Sequence, residues 1–381
     1  MEFSLTTVQR ELSEAAAAFA RARLNEDLVN RDQSGEFPLE AWRACAQFGI
    51  QGLPVPTELG GGDGDILTTV LVMEALGYGC EDNGLISSLN AQIWGLELPL
   101  VRFGTSAQQR AYLPRLVSGE LIGMPAMTDP DFSSAGLRMR AQAEHDGDSY
   151  RLNGSKLYIA DAPVSDVVLV FASHSAETGQ ASISSFLVDK GTPGFTVARH
   201  AEKMRPVTAP MFEVVLTDCL VPAGKRLGEE GAGVDIFNSS VELGRSCCLG
   251  SALGAMQRQL EKSAGYAQLR EQFGQAIGKF QNVADRMADM YLRLEAARLL
   301  VYRAAWLAQQ GKLTMAEAAA AKLFTSEAWV QSSLDSIQIH GGHGYTKEAG
   351  IERDLLAAIA GTMHSGTSGS QRVGLSRMLD R

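Results

Sequence analysis

The sequence predicts an α+β chain in which a helical domain, a small β-barrel or sandwich and a four-helix-type bundle follow one another. Apolar residues recur every three or four positions from Leu5 to about Leu121, as on one face of a helix. Between about Ile122 and Arg226 they alternate with polar residues, which indicates short strands. Helical spacing returns after Gly231 and continues almost to the end of the chain.

The length of the chain supports this division. At 381 residues it exceeds what one hydrophobic core usually serves. Hydrophobic residues make up 45% and charged residues 20%, which is the balance of a globular protein with a large apolar interior. We therefore predict domains of residues 1–121, 122–228 and 229–381.

The first domain is predicted to consist of helices. The segment QGLPVPTELGGGDGD, residues 51–65, is rich in proline and glycine and marks a loop between two helical runs. Further helices are expected over Leu67–Leu76 and Ala107–Val117. The N-terminus carries Glu2, so we interpret it as an amphipathic helix of the mature protein and not as a signal peptide.

The middle domain is predicted to consist of short β-strands. Its five expected strands are SYRLNGSKLYIA (149–160), DVVLVFAS (166–173), ISSFLVDK (183–190), GFTVARH (194–200) and MFEVVLTDCLVP (211–222). Asn-Gly, Asp-Gly and Gly-Thr-Pro-Gly turn signals follow one another closely, which favours a small barrel or sandwich over a parallel sheet.

The third domain is predicted to be a bundle. Helical periodicity runs through Val234–Gln268, Phe280–Gln309 and Thr314–Ile339, and helices of this length pack together in bundles. The segment MAEAAAAKLF is a strong helix former whose small side chains allow neighbouring helices to approach closely.

Charge and cysteine usage exclude several kinds of partner. The net charge is -10 and basic residues form no run, so we expect no nucleic-acid partner. No stretch reaches the ~20 apolar residues of a membrane span. The five cysteines lack metal or redox spacing, which favours a reduced, cytoplasmic protein.

Familiar catalytic motifs are missing from the sequence. The glycine cluster at residues 60–64 lacks the dinucleotide-binding spacing, and there is no phosphate-binding loop, nucleophile elbow or zinc pair on a helix. His340 and His343 lie in a glycine-rich turn, where we expect no metal.

Three separated parts of the chain carry a family resemblance. They are PAMTDPDFSSA (125–135) followed by LNGSKLYIADAP (152–163), then YAQLREQFGQAIGKFQ (266–281), then IQIHGGHGYTKEAGIERD (337–354) with AGTMHSGTSGSQR (360–372). In order and spacing they resemble the acyl-CoA dehydrogenase superfamily over essentially the whole chain. The resemblance implies FAD as cofactor and a thioester as substrate.

One group of residues matches the family's contacts with the flavin and pyrophosphate of FAD. Tyr158 stands where the family has an aromatic residue against the flavin, and Ala160 stands where it usually has a threonine. An aromatic face there excludes water from the ring. The residues matched to this part of the cofactor are Met127, Thr128, Ser134, Tyr158, Ala160 and Thr367.

A second group matches residues that reach the FAD of a neighbouring subunit, which implies a homodimer or homotetramer. An arginine suits the pyrophosphate dianion, and glycines allow close approach of the backbone. The residues matched to this group are Arg270, Gln272, Phe273, Ile277, Phe280, Gln338, Gly341 and Gly342.

The resemblance also implies how a thioester is bound and oxidised. Arg245 and Ser134 match residues along the pantetheine arm of coenzyme A or of a carrier protein. In this family a carboxylate removes the α-proton while the β-carbon gives a hydride to the flavin, which an electron acceptor later re-oxidises.

The sequence departs from the family at the catalytic carboxylate, the base that removes the α-proton. The two positions where family members place the glutamate hold Gly244 and Ser365. A general base contributes about 10²- to 10⁴-fold, so its loss without replacement would leave a slow enzyme. We expect Glu242 to replace it, with Ser365 in the catalytic site, and His364 is the alternative base.

Three functions remain open on this evidence. Residues 96–120 and the helix from Ala276 resemble the branch that oxidises aminoacyl groups on carrier proteins, so we favour such a dehydrogenase in a specialised biosynthetic pathway. A flavin monooxygenase on the same fold needs neither carboxylate and is the second hypothesis. The third is a partner subunit without a base in a mixed tetramer.

Overall fold

Helices, a sheet and more helices follow one another along the chain, so the predicted α+β fold class is confirmed. The computed structural model describes residues 4–130, 139–174, 182–204 and 208–379. Within these ranges no helix combines the length and apolar character that crossing a membrane requires. The domain boundaries given above stay predictions.

Several of the N-terminal helices begin at side-chain caps. Thr6 and Thr105 form capping boxes with Gln9 and Gln108, and the side chain of Asp65 accepts a hydrogen bond from the Thr68 amide. The helices are α1 (Thr7–Arg23), α2 (Leu28–Ser34), α3 (Leu39–Phe48), α4 (Ile66–Gly79), α5 (Asn83–Gln92), α6 (Leu98–Phe103) and α7 (Ser106–Val117). Two of them, α4 and α7, contain the helical segments expected from the sequence.

A π-helical segment, Ile93–Glu97, joins α5 to α6. It packs against α8 (Gly233–Ser246) and β1 (Gly123–Ala126) and is completely buried. Glu97 is 0% exposed, and its Oε1 accepts a hydrogen bond from Gln92 Nε2 at 2.7 Å. Its Oε2 has no partner among the described residues, so burial raises the pKa of Glu97 to about 8.

The middle region is an eight-stranded sheet with the strand order β6-β7-β3-β2-β4-β5-β8, in which β1 pairs with β4. The pairs of β1 and β2 with β4 are parallel, and the other pairs are antiparallel. The remaining strands are β2 (Gln142–Asp146), β3 (Ser149–Ala160), β4 (Val167–His174), β5 (Ile183–Asp189), β6 (Phe195–Ala201), β7 (Met211–Pro222) and β8 (Arg226–Leu227).

The Asn153-Gly154 pair does not form the turn that we expected. It lies inside β3, where the register against β7 shifts between Leu152 and Gly154. Gly154 has a φ of 139°, and a Cβ there would lie 2.7 Å from the Ala141 Cα. The pair is therefore a bulge that needs glycine, and β3 continues through it to Tyr158 and beyond.

The C-terminal region contains the long helices of the bundle. Its elements after α8 are α9 (Gly250–Leu269), the hairpin of β9 (Glu271–Gln272) and β10 (Gln275–Ala276), α10 (Gln281–Gln309), α11 (Met315–His340), α12 (Ile351–Gly361) and α13 (Ser368–Leu379). The single helix predicted over 234–268 was wrong, because a turn at Cys247–Leu249 separates α8 from α9. After this turn α9 packs against α4.

We predict that Glu97 makes the protein less stable as pH rises. Between its ordinary pKa of 4.5 and about 8 the folded state keeps the proton that the unfolded state loses, so the free energy of unfolding falls across this window. Glu97→Gln should raise that free energy at pH 8 by on the order of 3 kcal/mol and change it little at pH 5. Urea unfolding at both pH values measures this, with exposed Glu58→Gln as control. An equal effect of Glu97→Gln at both pH values would contradict the linkage.

Candidate active site

A buried ion pair fixes the loop that follows β1. Lys156 of β3 and Asp129 are 0% and 1% exposed, and the ammonium donates to Asp129 Oδ1. The other carboxylate oxygen accepts hydrogen bonds from the backbone amides of Arg140 and Ala141. The loop that carries Met127 and Thr128 is thereby tied to β3 and to the start of β2.

Tyr158 presents an aromatic face next to this loop. Its φ is 61°, in the left-handed region that a bulky residue rarely adopts, and its side chain is 61% exposed. The neighbouring Leu157 amide donates to the Thr128 carbonyl at 2.7 Å. The structure thus brings together Met127, Thr128, Tyr158 and Ala160, whereas Ser134 lies outside the described residues.

The two positions where the family places its glutamate meet in space. A Cβ added at Gly244 of α8 would lie 3.2 Å from Ser365 Oγ, and outside the backbone of α8 no other atom of the described residues would lie within 4 Å of it. Ser365 has a φ of 53° and Gly366 a φ of 103°, so the chain reverses sharply between α12 and α13. Side chains at either position therefore reach the same point.

Charged and polar groups surround that point. Ser365 Oγ lies 2.9 Å from His364 Nδ1, and Arg245 Nε donates to the Ser365 carbonyl at 2.9 Å. Lys322 of α11 is 1% exposed and donates to the Thr362 carbonyl at 2.7 Å. Burial lowers the pKa of Lys322 to about 8, and nearby Arg245 adds to this effect.

His364 is part of the same cluster. The residue as a whole is exposed, yet desolvation by the surrounding protein lowers the pKa of its imidazole, and the Lys322 ammonium lowers it further. The ring is therefore neutral at physiological pH and can accept a proton.

Glu242 lies on another face of α8. Two residues turn an α-helix by about 200°, so its side chain leaves the helix away from the direction of Gly244. Burial raises the pKa of Glu242, and the charges of Arg102 and Arg245 oppose this. Arg102 extends from α6 and donates to Ser239 Oγ at 2.7 Å.

Thr367 begins the last helix. Its hydroxyl oxygen accepts a hydrogen bond from the Ser370 amide at 3.2 Å, which is the geometry of an N-cap for α13. The residue follows the reversal at Ser365 and Gly366, so it belongs to the same end of the bundle as Gly244.

The remaining predicted cofactor residues form a separate cluster at the far end of α9. Phe273 is 94% exposed at the tip of the β9–β10 hairpin and packs edge-on against Phe280, with ring centroids 6.2 Å apart. Ile277 packs in a small apolar cluster with Ile339 of α11. Arg270 is exposed, and its guanidinium has no acidic partner in the described part of the chain.

Gly341 and Gly342 complete this second cluster together with exposed Gln338. A Cβ added to either glycine would meet nothing within 4 Å, and Gly341 has a φ of 58°. The missing side chains therefore serve no contact inside this chain, and the open backbone faces outward.

The two clusters lie at opposite ends of the long helices of the bundle. On α11, Lys322 of the first cluster and Gln338 of the second are about 24 Å apart at 1.5 Å per residue. Arg270 likewise follows the 20-residue helix α9, whose start adjoins the first cluster through Cys248 and Gly244.

Sequence reasoning missed Lys156 and Lys322, the buried lysines of the site. The signal for Lys322 is a lysine that directly follows a run of four alanines in MAEAAAAKLF, where most neighbouring positions are buried. No local signal identifies Lys156, because its partner Asp129 is distant in sequence.

Family models match the chain along almost its full length. The acyl-CoA dehydrogenase N-terminal domain matches residues 6–120, the middle domain residues 125–219 and the C-terminal domain residues 231–379.

Individual relatives are similar over the whole chain. An L-prolyl-[peptidyl-carrier protein] dehydrogenase of Serratia sp. is 39% identical and aligns with 100% of this chain and 98% of its own length. The crystal structure of the prolyl acyl carrier protein oxidase AnaB is 42% identical, has a TM-score of 0.96 and covers 99% of this chain and 100% of its own. The FAD complex of PigA is 39% identical with a TM-score of 0.96, covering 100% and 99%.

We predict that Lys156→Met destabilises the protein by about 3–5 kcal/mol, because it leaves a buried carboxylate without its counter-charge. Adding Asp129→Asn removes that charge and should recover part of the loss. Urea unfolding of both variants measures this, with exposed Lys347→Met as control. If the double variant were less stable than Lys156→Met, the unpaired charge would not be the cause.

Proposed function

Because the chain belongs to the acyl-CoA dehydrogenase family, we propose that it is an FAD-dependent dehydrogenase that introduces an α,β double bond into an acyl or aminoacyl thioester. The observation that carries this proposal is the close approach of Gly244 and Ser365, the two positions where the family places its glutamate. A proton acceptor placed there suits oxidation of a thioester, since this reaction removes a proton from one carbon and a hydride from the next.

The described residues fit FAD. Tyr158 offers an exposed aromatic face to a flat ring, and Arg270 offers an unpaired cation to a pyrophosphate. The open backbone at Gly341 and Gly342 permits close approach of a nucleotide. Bound FAD supplies a two-electron acceptor that takes a hydride.

The residues of this chain prepare the thioester for that reaction. The fixed loop at Met127 and Thr128 and the ring of Tyr158 hold one side of the site and exclude water. Arg245 holds the Ser365 backbone in place, and its guanidinium adjoins the path of a pantetheine arm. The site thereby orients the α- and β-carbons for removal of the proton and the hydride.

We favour a substrate that is attached to a carrier protein over one that is attached to coenzyme A. The Serratia relative is named for a prolyl group on a peptidyl-carrier protein, and AnaB for an acyl carrier protein. We propose a specialised biosynthetic pathway and leave the acyl group unassigned, because this chain has Gly244 and Ser365 at the two positions where the family is expected to place its glutamate.

A flavin monooxygenase is the second candidate. Gly244 and Ser365 leave no carboxylate at the family's base positions, and Ala160 replaces the usual threonine hydroxyl. Oxygen chemistry needs none of these groups. A third possibility is a partner subunit without a base, which a colourless purified protein would support.

We propose that two copies of the chain share each FAD. The cluster at Arg270 and Phe273 follows α9, which is about 30 Å long, and its exposed side chains face away from the first cluster's end of the bundle, where they can contact a cofactor held by a second copy. An aromatic side chain that is 94% exposed also fits a contact between copies.

The described cysteines are unpaired, which agrees with a cytoplasmic location. That a separate electron acceptor re-oxidises the flavin stays a prediction.

We predict that a carrier-bound thioester bleaches the flavin of the purified protein without oxygen. The same acyl group on coenzyme A should act at least ~10-fold more slowly if the carrier protein contributes to binding. Anaerobic absorbance at the flavin band measures both, with prolyl and simple acyl groups on each carrier. Bleaching by NADPH alone, followed by oxygen transfer, would support the monooxygenase, and a colourless protein would support the partner subunit.

We predict that Arg270→Ala weakens FAD binding by about 10- to 100-fold, because a charge-assisted hydrogen bond contributes about 1.5–3 kcal/mol. Arg199→Ala is the matched control, since Arg199 is also exposed but lies on β6. Equilibrium binding of FAD to the stripped protein and light scattering measure affinity and assembly. A monomer that binds FAD with full affinity would contradict the shared site.

A further inference from the structure

The proton acceptor can be assigned from the geometry around Ser365. We propose that His364, through the Ser365 hydroxyl, takes the role that glutamate has elsewhere in the family. This inference rests on the proposed function and deepens it, because it names the groups that remove the α-proton. It replaces Glu242 as the preferred base.

The hydroxyl of Ser365 lies where the side chains of both family glutamate positions would meet. Its Oγ lies 3.2 Å from where a Gly244 side chain would begin, at the point that both family glutamate positions reach. Because residue 244 has no side chain, that space is open toward Ser365. A serine alone is a weak base, so the hydroxyl needs a partner that accepts its proton.

His364 supplies that partner. Its Nδ1 lies 2.9 Å from Ser365 Oγ, within hydrogen-bond reach. As a neutral ring it accepts the Ser365 proton at Nδ1 when Nε2 carries the hydrogen. The exposure of the residue gives the proton a route to solvent afterwards.

The reaction balances with these groups. The α C–H bond breaks and its proton goes to Ser365 Oγ, while the Ser365 O–H proton goes to His364 Nδ1. The electron pair left on the α-carbon forms the double bond as the β C–H bond releases a hydride to the two-electron flavin acceptor of the proposed function. The substrate is oxidised by two electrons, and the imidazolium returns its proton to solvent.

The charges around His364 favour this role. Desolvation lowers the pKa of His364, the charge of Lys322 from α11 lowers it further, and Arg245, Cys248 and Glu327 act on Lys322 in turn. Lys322 also fixes the Thr362 carbonyl, which accepts a second hydrogen bond from the Ser368 amide at 2.9 Å. The lysine is therefore a positioning residue for the turn that carries His364 and Ser365.

Glu242 fits the role less well. It leaves α8 about 200° from Gly244, toward Arg102. No described contact joins it to Ser365 or His364.

The test compares His364→Gln and Ser365→Ala with Gly244→Glu and with the double variant Gly244→Glu/His364→Gln. Exposed His200→Gln on β6 is the matched control. Two quantities are measured in the FAD-loaded protein: flavin reduction by a carrier-bound thioester, and deuterium uptake at the α-carbon of a 3-thia acyl thioester, which has no β-hydrogen to give. The second needs only a base and no hydride transfer.

His364→Gln and Ser365→Ala should each slow both processes by about 10²-fold or more, while His200→Gln changes neither. In the double variant the new carboxylate at residue 244 should act as the base. The rates of flavin reduction and of deuterium uptake should therefore lie within about 10-fold of those of Gly244→Glu. In the parent, both rates should fall as pH drops through the His364 pKa. Lys322→Met should move that fall to higher pH, because removing a neighbouring cation raises the pKa of His364.

Three results would overturn this proton relay, in which Ser365 takes the α-proton and gives its own proton to His364. Unchanged rates in both His364→Gln and Ser365→Ala would exclude the relay. Loss of activity in Glu242→Gln would then identify Glu242 as the base. A double variant that binds FAD and thioester but stays as slow as His364→Gln would show that the histidine only supports the fold. Parent and Gly244→Glu proteins that both fail to reduce flavin and to exchange would overturn the proposed function together with the relay.

Discussion

The close contact between α4 and α9 is the constraint on which the geometry of the site depends. A Cβ at Gly254 would lie 1.9 Å from the Glu74 carbonyl oxygen, and one at Gly77 would lie 2.0 Å from the Ser251 carbonyl oxygen. Only glycine permits backbones to touch in this way. Arg258 of α9 then donates to the carbonyls of residues 77, 78 and 80 at the end of α4. The N-terminal and C-terminal helices are thereby held in one register, and α8, which leads into α9, brings Gly244 to its place.

A second constraint acts on the sheet. The buried pair of Lys156 and Asp129 holds the loop after β1 against β3, where Tyr158 adopts a strained backbone conformation. Strain of this kind persists only where the surroundings fix it. Tyr158 and the turn that carries Ser365 are therefore held by separate contacts, one set in the sheet and one in the bundle. Positions held in this way are what a reaction with two bond cleavages at adjacent carbons requires.

The sequence predicted the fold class, and all five expected strands are present in the sheet. It failed for β1 and β2, because GMPA and QAEHD are too short to show an alternation, and at Asn153-Gly154, where a turn signal became a bulge. The approach of Gly244 to Ser365 could not be read from periodicity, since it depends on how α8 packs near the α12–α13 turn. The choice between Glu242 and His364 as the base stays a prediction, because it depends on the helical angle between residues 242 and 244 and on the contact of His364 with Ser365, which sequence alone does not give.

The hairpin that carries Arg270 and Phe273 has a thermodynamic consequence if two copies share each FAD. Cofactor binding and self-association then become linked equilibria, and each must strengthen the other by the same factor. Dilution would draw FAD from the protein even when its intrinsic affinity is unchanged, and cofactor depletion would loosen the assembly in return. The amount of active enzyme in a cell would therefore rise more steeply than in proportion to the amount of chain.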